Sequence, residues 1–139
     1  MNALVIDTSV FVKWLNQDNE GDLDKADRVL EDVKSGKVEL VAPELIKYEI
    51  GNVLLKGKQL TPTQAYVSLG TAYALPVTFI SESEELARET FLTAANLNIT
   101  YYDASFISLA KQYDATLVTD NLKHQGKNSN IKVVSLKDY

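Results

Sequence analysis

Short apolar runs alternating with amphipathic, helix-spaced segments are the feature that most narrows what this 139-residue chain can fold into. Ala3 to Ile6 is wholly apolar, carries β-branched side chains and stops at Asp7-Thr8-Ser9. Such a run is too short for a helix and reads as a strand buried on both faces that ends in a polar turn. Val10, Phe11, Trp14 and Leu15 then recur at helical spacing, and Asp22 to Lys34 gives a second amphipathic pattern through Leu23, Ala26, Leu30 and Val33 before Gly36. Strand character returns at Val38 to Ala42, and Pro43 fits the first turn of a helix from about Glu44 to Leu55, closing at Lys56-Gly57. Thr61-Pro62 caps and opens a helix carrying Ala65, Leu69 and Ala72, which Pro76 ends. Val77 to Ile80 is a strand, and Ser81 to Leu97 a long helix whose early Glu82, Glu84 and Glu85 suit the positive end of its dipole. A further helix starts near Tyr102 or Asp103 and ends around Tyr113. Ala115 to Val118 then repeats the first strand and runs into Thr119-Asp120-Asn121, and Ile131 to Ser135 supplies the last strand. Lys123 to Asn130, rich in Lys, Asn, Gly and Ser, reads as a loop.

This alternation predicts a single α/β domain over residues 1–139, with a mainly parallel sheet covered by helices on both faces. The length suits one domain with a real core, and 45% hydrophobic residues are too many for a disordered chain. No apolar run approaches the roughly 18 residues that would span a bilayer. The N-terminus MNALVIDTSV has no basic leader, so a cytoplasmic protein is expected. No cysteine is present and His124 is the sole histidine, which removes disulfides, thiolate zinc sites, cysteine nucleophiles and polyhistidine metal sites. Any metal must be held by oxygen ligands, the chemistry of magnesium, manganese or calcium. A formal net charge of -5 argues against binding nucleic acid by bulk electrostatics, but leaves room for an acidic site where a cation offsets phosphate repulsion.

In open parallel sheets, ligands gather beyond the carboxyl ends of the strands. Asp7 follows Ala-Leu-Val-Ile and Asp120 follows Thr-Leu-Val-Thr, so on neighbouring strands both carboxylates emerge at one edge. Glu49 lies about two turns into the next helix, with Asn52 on the same face, and Asp103 stands at a helix start. Carboxylates gathered without a cation repel one another and raise each other's pKa, and a metal relieves that cost. Such a centre activates water and neutralises charge on a phosphodiester, so phosphate-ester hydrolysis is the chemistry these residue types fit.

Four motifs in order, Asp7-Thr8-Ser9, Glu49-Ile50-Gly51-Asn52, Tyr102-Asp103-Ala104-Ser105-Phe106 and Leu117-Val118-Thr119-Asp120, resemble those of PIN-domain ribonucleases. The form they resemble most is the toxin half of VapBC toxin-antitoxin pairs, and the resemblance covers nearly the whole chain. It implies a three-layer fold with a five-stranded parallel sheet of order 3-2-1-4-5 and an endoribonuclease dependent on Mg2+ or Mn2+. It also implies a homodimer and a small VapB-like antitoxin that blocks the site. Carried over by position, Asp7, Glu49 and Asp103 match the metal-binding acids, with Thr8, Ser9 and Asn52 as supporting polar residues. The fourth position stays open, because the family commonly reads Thr-x-Asp where this chain reads Thr119-Asp120-Asn121. Either Asp120 supplies the carboxylate, or Asn121 holds the position and the site runs on three acids and an amide.

Each residue also has a plainer role. Asp7 and Asp103 suit helix caps, Glu49 a solvated helix face, and Asp120-Asn121 an Asx turn. Lys13, Lys47, Lys123, His124 and Lys127 are candidates for RNA phosphate contacts. Tyr66, Leu69 and Tyr73 form a stripe suited to the core or to a dimer seam, and Trp14 suits packing. Other phosphoryl-transfer sheets fit less well: a haloacid-dehalogenase site needs an acid where Ser9 stands, and a response-regulator receiver needs one after Ile80. A non-cutting module that binds RNA or a protein partner is the third reading, kept open by Asn121.

Overall fold

The computed structural model describes residues 2–122 and 130–139. Its strands are β1 (Asn2–Ile6), β2 (Val38–Pro43), β3 (Val77–Ile80), β4 (Thr116–Thr119) and β5 (Val133–Ser135). Between them run α1 (Thr8–Phe11, extended by a 3-10 turn Val12–Trp14), α2 (Leu23–Lys34), α3 (Leu45–Asn52), α4 (Pro62–Ala74), α5 (Glu84–Leu97) and α6 (Tyr101–Gln112). All paired strands are parallel, in the order β3-β2-β1-β4-β5, as the resemblance implied. Val5 at the centre pairs with Val41 on one side and Leu117 on the other. All three are buried, as the continuous apolar runs require of strands covered on both faces.

The buried residues form one cluster from the central strands and the inner stripes of the helices. Phe11 is fully buried, meeting Trp14 edge-on at 5.7 Å and Phe79 at 6.3 Å between ring centroids. Trp14 packs against this core and donates its indole N–H to the Ala26 carbonyl. Truncating Phe11→Ala is expected to cost about 3–5 kcal/mol, read as a lower urea midpoint with an unchanged slope.

Several boundaries differ from the sequence reading, each for a local reason. Pro43 closes β2 opposite Ile80 instead of opening α3, since its fixed φ suits a strand end where no further N–H is needed. The helix expected to run to Leu55 changes to a wider π turn over Val53–Gly57, where Lys58 N–H reaches back to the Val53 carbonyl. Helix α5 begins at Glu84 because Ser83 takes the cap, leaving Glu82 before it as acceptor for the Tyr101 hydroxyl. Helix α6 begins at Tyr101, capped by Thr100, and β5 is shorter than expected because Ile131 packs on the core outside the ladder. Tyr66 and Tyr73 are not core residues: they are 71% and 64% exposed, and only Leu69 of that stripe packs inward. No helix among the described residues is long and apolar enough to cross a membrane. The expected loop Lys123 to Asn130 lies, apart from Asn130, outside the described residues.

Candidate active site

The strand order reverses between β1 and β4, the position where the turns leaving two adjacent strands diverge and open a crevice. A cavity of about 230 Å³ lies there, lined by Asp7, Thr8, Ser9, Glu49, Asp103, Phe106 and Asn121. Three acids from three separate stretches of chain thus share one hollow. A larger cleft of about 690 Å³ runs along the opposite end of the sheet, past Asn2, Val38, Thr116 and Lys132. It lies at the amino ends of the strands, away from the edge where βα turns converge, and none of the candidate acids reaches it.

Asp7 is 5% exposed and held on both oxygens. Its Oδ1 accepts from the Ser9 hydroxyl at 2.5 Å and from Val10 N–H at 3.3 Å, and its Oδ2 accepts from the Thr119 hydroxyl. The cap role and the site role therefore coexist in one carboxylate. Burial pushes its pKa up, and the hydrogen bonds from Ser9, Thr119 and Val10 oppose that rise only in part. The two hydroxyls are themselves anchored, for Ser9 Oγ accepts from Asp120 N–H and Thr119 Oγ1 from Asn121 N–H, both at 3.0 Å. Asp7 is in this way coupled to the backbone leaving β4.

Glu49 comes from α3, and its Oε1 accepts from the Thr8 hydroxyl at 2.6 Å. Its pKa is raised first by burial, against the lowering effect of Thr8, and then by the nearby charges of Asp103 and Asp7. Glu49 thus feels the charge of both other acids. Asp103 is the third residue of α6, and Thr100 performs the capping that Asp103 itself was a candidate for. Its carboxylate has no hydrogen bond or ion pair among the described residues and is free to face the cavity. Phe106, one turn further along α6, is buried and forms an apolar wall.

Asp120 and Asn121 part company here. Asp120 turns to Lys13, with Nζ and Oδ2 3.0 Å apart, and does not line the cavity, whereas Asn121 does. Lys13 is not on the surface expected of a phosphate contact: it is 2% exposed and also meets Glu20 at 3.1 Å and the Gly21 carbonyl at 2.7 Å. Burial lowers its pKa, and the hydrogen bonds and charges of Asp120 and Glu20 outweigh that and raise it, so the amine stays charged. Asn52 is exposed and outside the cavity, because three further residues carry it about 4.5 Å along the axis from Glu49. Lys47 pairs with Glu44 at 2.7 Å, lies over the Tyr73 and Phe79 rings, 5.2 Å and 4.6 Å from their centroids, and does not line the cavity. Lys123, His124 and Lys127 lie outside the described residues.

The donors suit a small hard cation: carboxylate, hydroxyl and amide oxygens, with no thiol anywhere in the chain. Among the described residues no three acidic, histidine or cysteine side chains stand close enough to ligate one ion together. An ion held here would take one or two carboxylates directly and keep much of its water, as magnesium does. Sequence reasoning did not single out Thr119 and Phe106 as site residues. A hydroxyl at the end of a buried strand, beside the acid's own strand, was the available signal for Thr119.

Residues 4–127 match the PIN domain family. No curated protein matches the chain significantly. Among solved structures, it is similar to VapBC2 from Rickettsia felis bound to a DNA fragment from its promoter, at 18% identity and a TM-score of 0.70, over 96% of this chain and 98% of that one. A toxin-antitoxin complex from Klebsiella pneumoniae is similar at 16% identity and a TM-score of 0.66, over 98% and 99%. VapC20 from Mycobacterium tuberculosis, a toxin that cleaves the sarcin-ricin loop, is similar at 10% identity and a TM-score of 0.67, over 88% and 93%. At these identities the likeness is one of fold.

Proposed function

The chain belongs to the PIN domain family, and from that premise we propose that it is an endoribonuclease dependent on Mg2+ or Mn2+, the toxin of a toxin-antitoxin pair. The observation that carries this reading is the convergence of Asp7, Glu49 and Asp103, from three distant segments, on one cavity at the switch point of the sheet. A small VapB-like antitoxin, a homodimeric assembly and a cytoplasmic setting belong to the same proposal. The antitoxin partner is supported by the fold shared with the Rickettsia felis and Klebsiella pneumoniae complexes.

Each residue has a task that follows from its surroundings. Ser9, Thr119 and Val10 N–H fix the plane of the Asp7 carboxylate, and Thr8 fixes one oxygen of Glu49, so neither acid must reorganise to bind. Asp103 adds a third negative charge, and Phe106 limits water on its side of the hollow. Left to themselves these acids repel an RNA phosphate. A bound divalent cation would supply what they lack, lowering the pKa of a water and offsetting charge that develops on the phosphodiester. Asn121 adds a neutral amide that can hold a water or a phosphate oxygen by hydrogen bonding.

The test is cleavage of a structured RNA by the purified protein. Cutting is expected with magnesium or manganese and should stop when a chelator is added; no cutting with either metal would sink the proposal. One observation favours a second reading, a PIN-like module that binds RNA or protein without cutting: the cavity holds an amide at its β4 edge in place of a carboxylate. Calorimetry separates the two, since that module would take up neither metal even with RNA present.

A further inference from the structure

Building on the metal-dependent reading, we infer that Lys13 is a positioning residue: its buried amine captures Asp120 and so leaves Asn121 as the side chain that the β4 exit presents to the acid-lined cavity. Lys13 has a side chain only 1% exposed and gives its amine to three oxygens, from Glu20, Gly21 and Asp120. Glu20 is shared, for its other oxygen meets Lys58 at 2.6 Å. Two lysines thus face two carboxylates, and withdrawing Asp120 would leave Lys13 with half a partner in a place where an unpaired charge is costly.

The opposite side of the same backbone is tied to Asp7. Asp120 N–H and Asn121 N–H donate to the hydroxyls of Ser9 and Thr119, and each hydroxyl in turn donates a hydrogen bond to one oxygen of Asp7. With the chain fastened at both residues, the two side chains leave on different sides, Asp120 to Lys13 and Asn121 to the cavity. The cavity therefore offers three carboxylates and one amide, one negative charge fewer than if Asp120 pointed inward. Cation affinity rises with the number of charged ligands, so Lys13 sets that affinity without touching the site.

Manganese titration of the full chain without RNA, read from the spectroscopic signal of the free aqueous ion, tests this independently of cleavage. Asp120→Asn is expected to bind Mn2+ within about twofold of the parent, and Asn121→Asp to tighten binding by about tenfold. Lys13→Met frees Asp120 to turn inward and is expected to tighten binding severalfold, a gain that disappears in the double variant with Asp120→Asn. If Lys13→Met does not fold, as a melting curve will tell, the two exposed substitutions decide the matter. Tenfold weaker binding by Asp120→Asn, or no change in Asn121→Asp, would overturn the inference and leave the metal-dependent reading standing. Failure of every variant and of the parent to bind Mn2+ would overturn both.

Discussion

Asp7→Asn is expected to lose more than about 100-fold of RNA cleavage and yet to melt at a higher temperature than the parent at neutral pH. The two effects have one cause. Changing a partner of a metal ligand typically costs 10–100-fold, so changing a proposed ligand itself should cost more. The same carboxylate is 5% exposed, and burial raises its pKa despite three hydrogen bonds, so as an anion it opposes folding. Asparagine keeps the cap, since its amide oxygen can accept from Val10 N–H as the carboxylate does. The sign with pH follows from linkage. Above the raised pKa, Asp7 is ionised in both folded and unfolded chains and its burial cost is fully present. As the pH falls through that pKa, the folded chain takes up the proton first and the parent gains stability, a gain complete below the ordinary carboxylate value. The melting gap between variant and parent is therefore largest at neutral pH and closes on acidification. Unchanged cleavage would remove Asp7 from the mechanism, and a variant that melts lower at neutral pH would show that its hydrogen bonds outweigh its burial.

Much of this was legible in the chain itself, and the exceptions are instructive. Buried parallel strands announce themselves as continuous apolar runs, so β1, β2 and β4 could be read together with the acids at the ends of β1 and β4, whereas the strand order came only from the family resemblance. Asp7 was the plainest of these, because a carboxylate directly after such a run has few places to point. Boundaries failed where two residues competed for one local role, as Ser83 against Ser81 at the start of α5, or where Pro43 suited a strand end as well as a helix start. The site failed differently. Lys13 looks like any lysine on an early helix, and nothing within a few residues of it predicts that Glu20 and Asp120 will meet it. That contact joins positions more than one hundred residues apart, which only the completed sheet brings together. The choice between Asp120 and Asn121 depended on it, and local pattern carries no information about a partner so distant in the chain.

Magnesium is expected to raise the melting temperature of the parent protein by roughly 6–10 °C when present at about one hundred times its dissociation constant, and to leave Asp7→Asn nearly unmoved. An ion that binds only the folded state stabilises it by about 2.7 kcal/mol at that excess. Relief of repulsion among the acids is one source of that affinity: Glu49 has its pKa raised by burial and then by the charges of Asp103 and Asp7. Protons and the cation compete for the same oxygens. As the pH falls through the raised values of Asp7 and Glu49, the cation-free protein gains stability by protonation while the cation loses its ligands. The gap between the melting curves with and without magnesium should accordingly shrink as the pH falls. Thermal melts across pH, with magnesium or chelator and no RNA, measure this directly. A magnesium shift of equal size in Asp7→Asn would place the ion elsewhere on the molecule, and a shift that does not shrink on acidification would mean that Asp7 and Glu49 do not hold it.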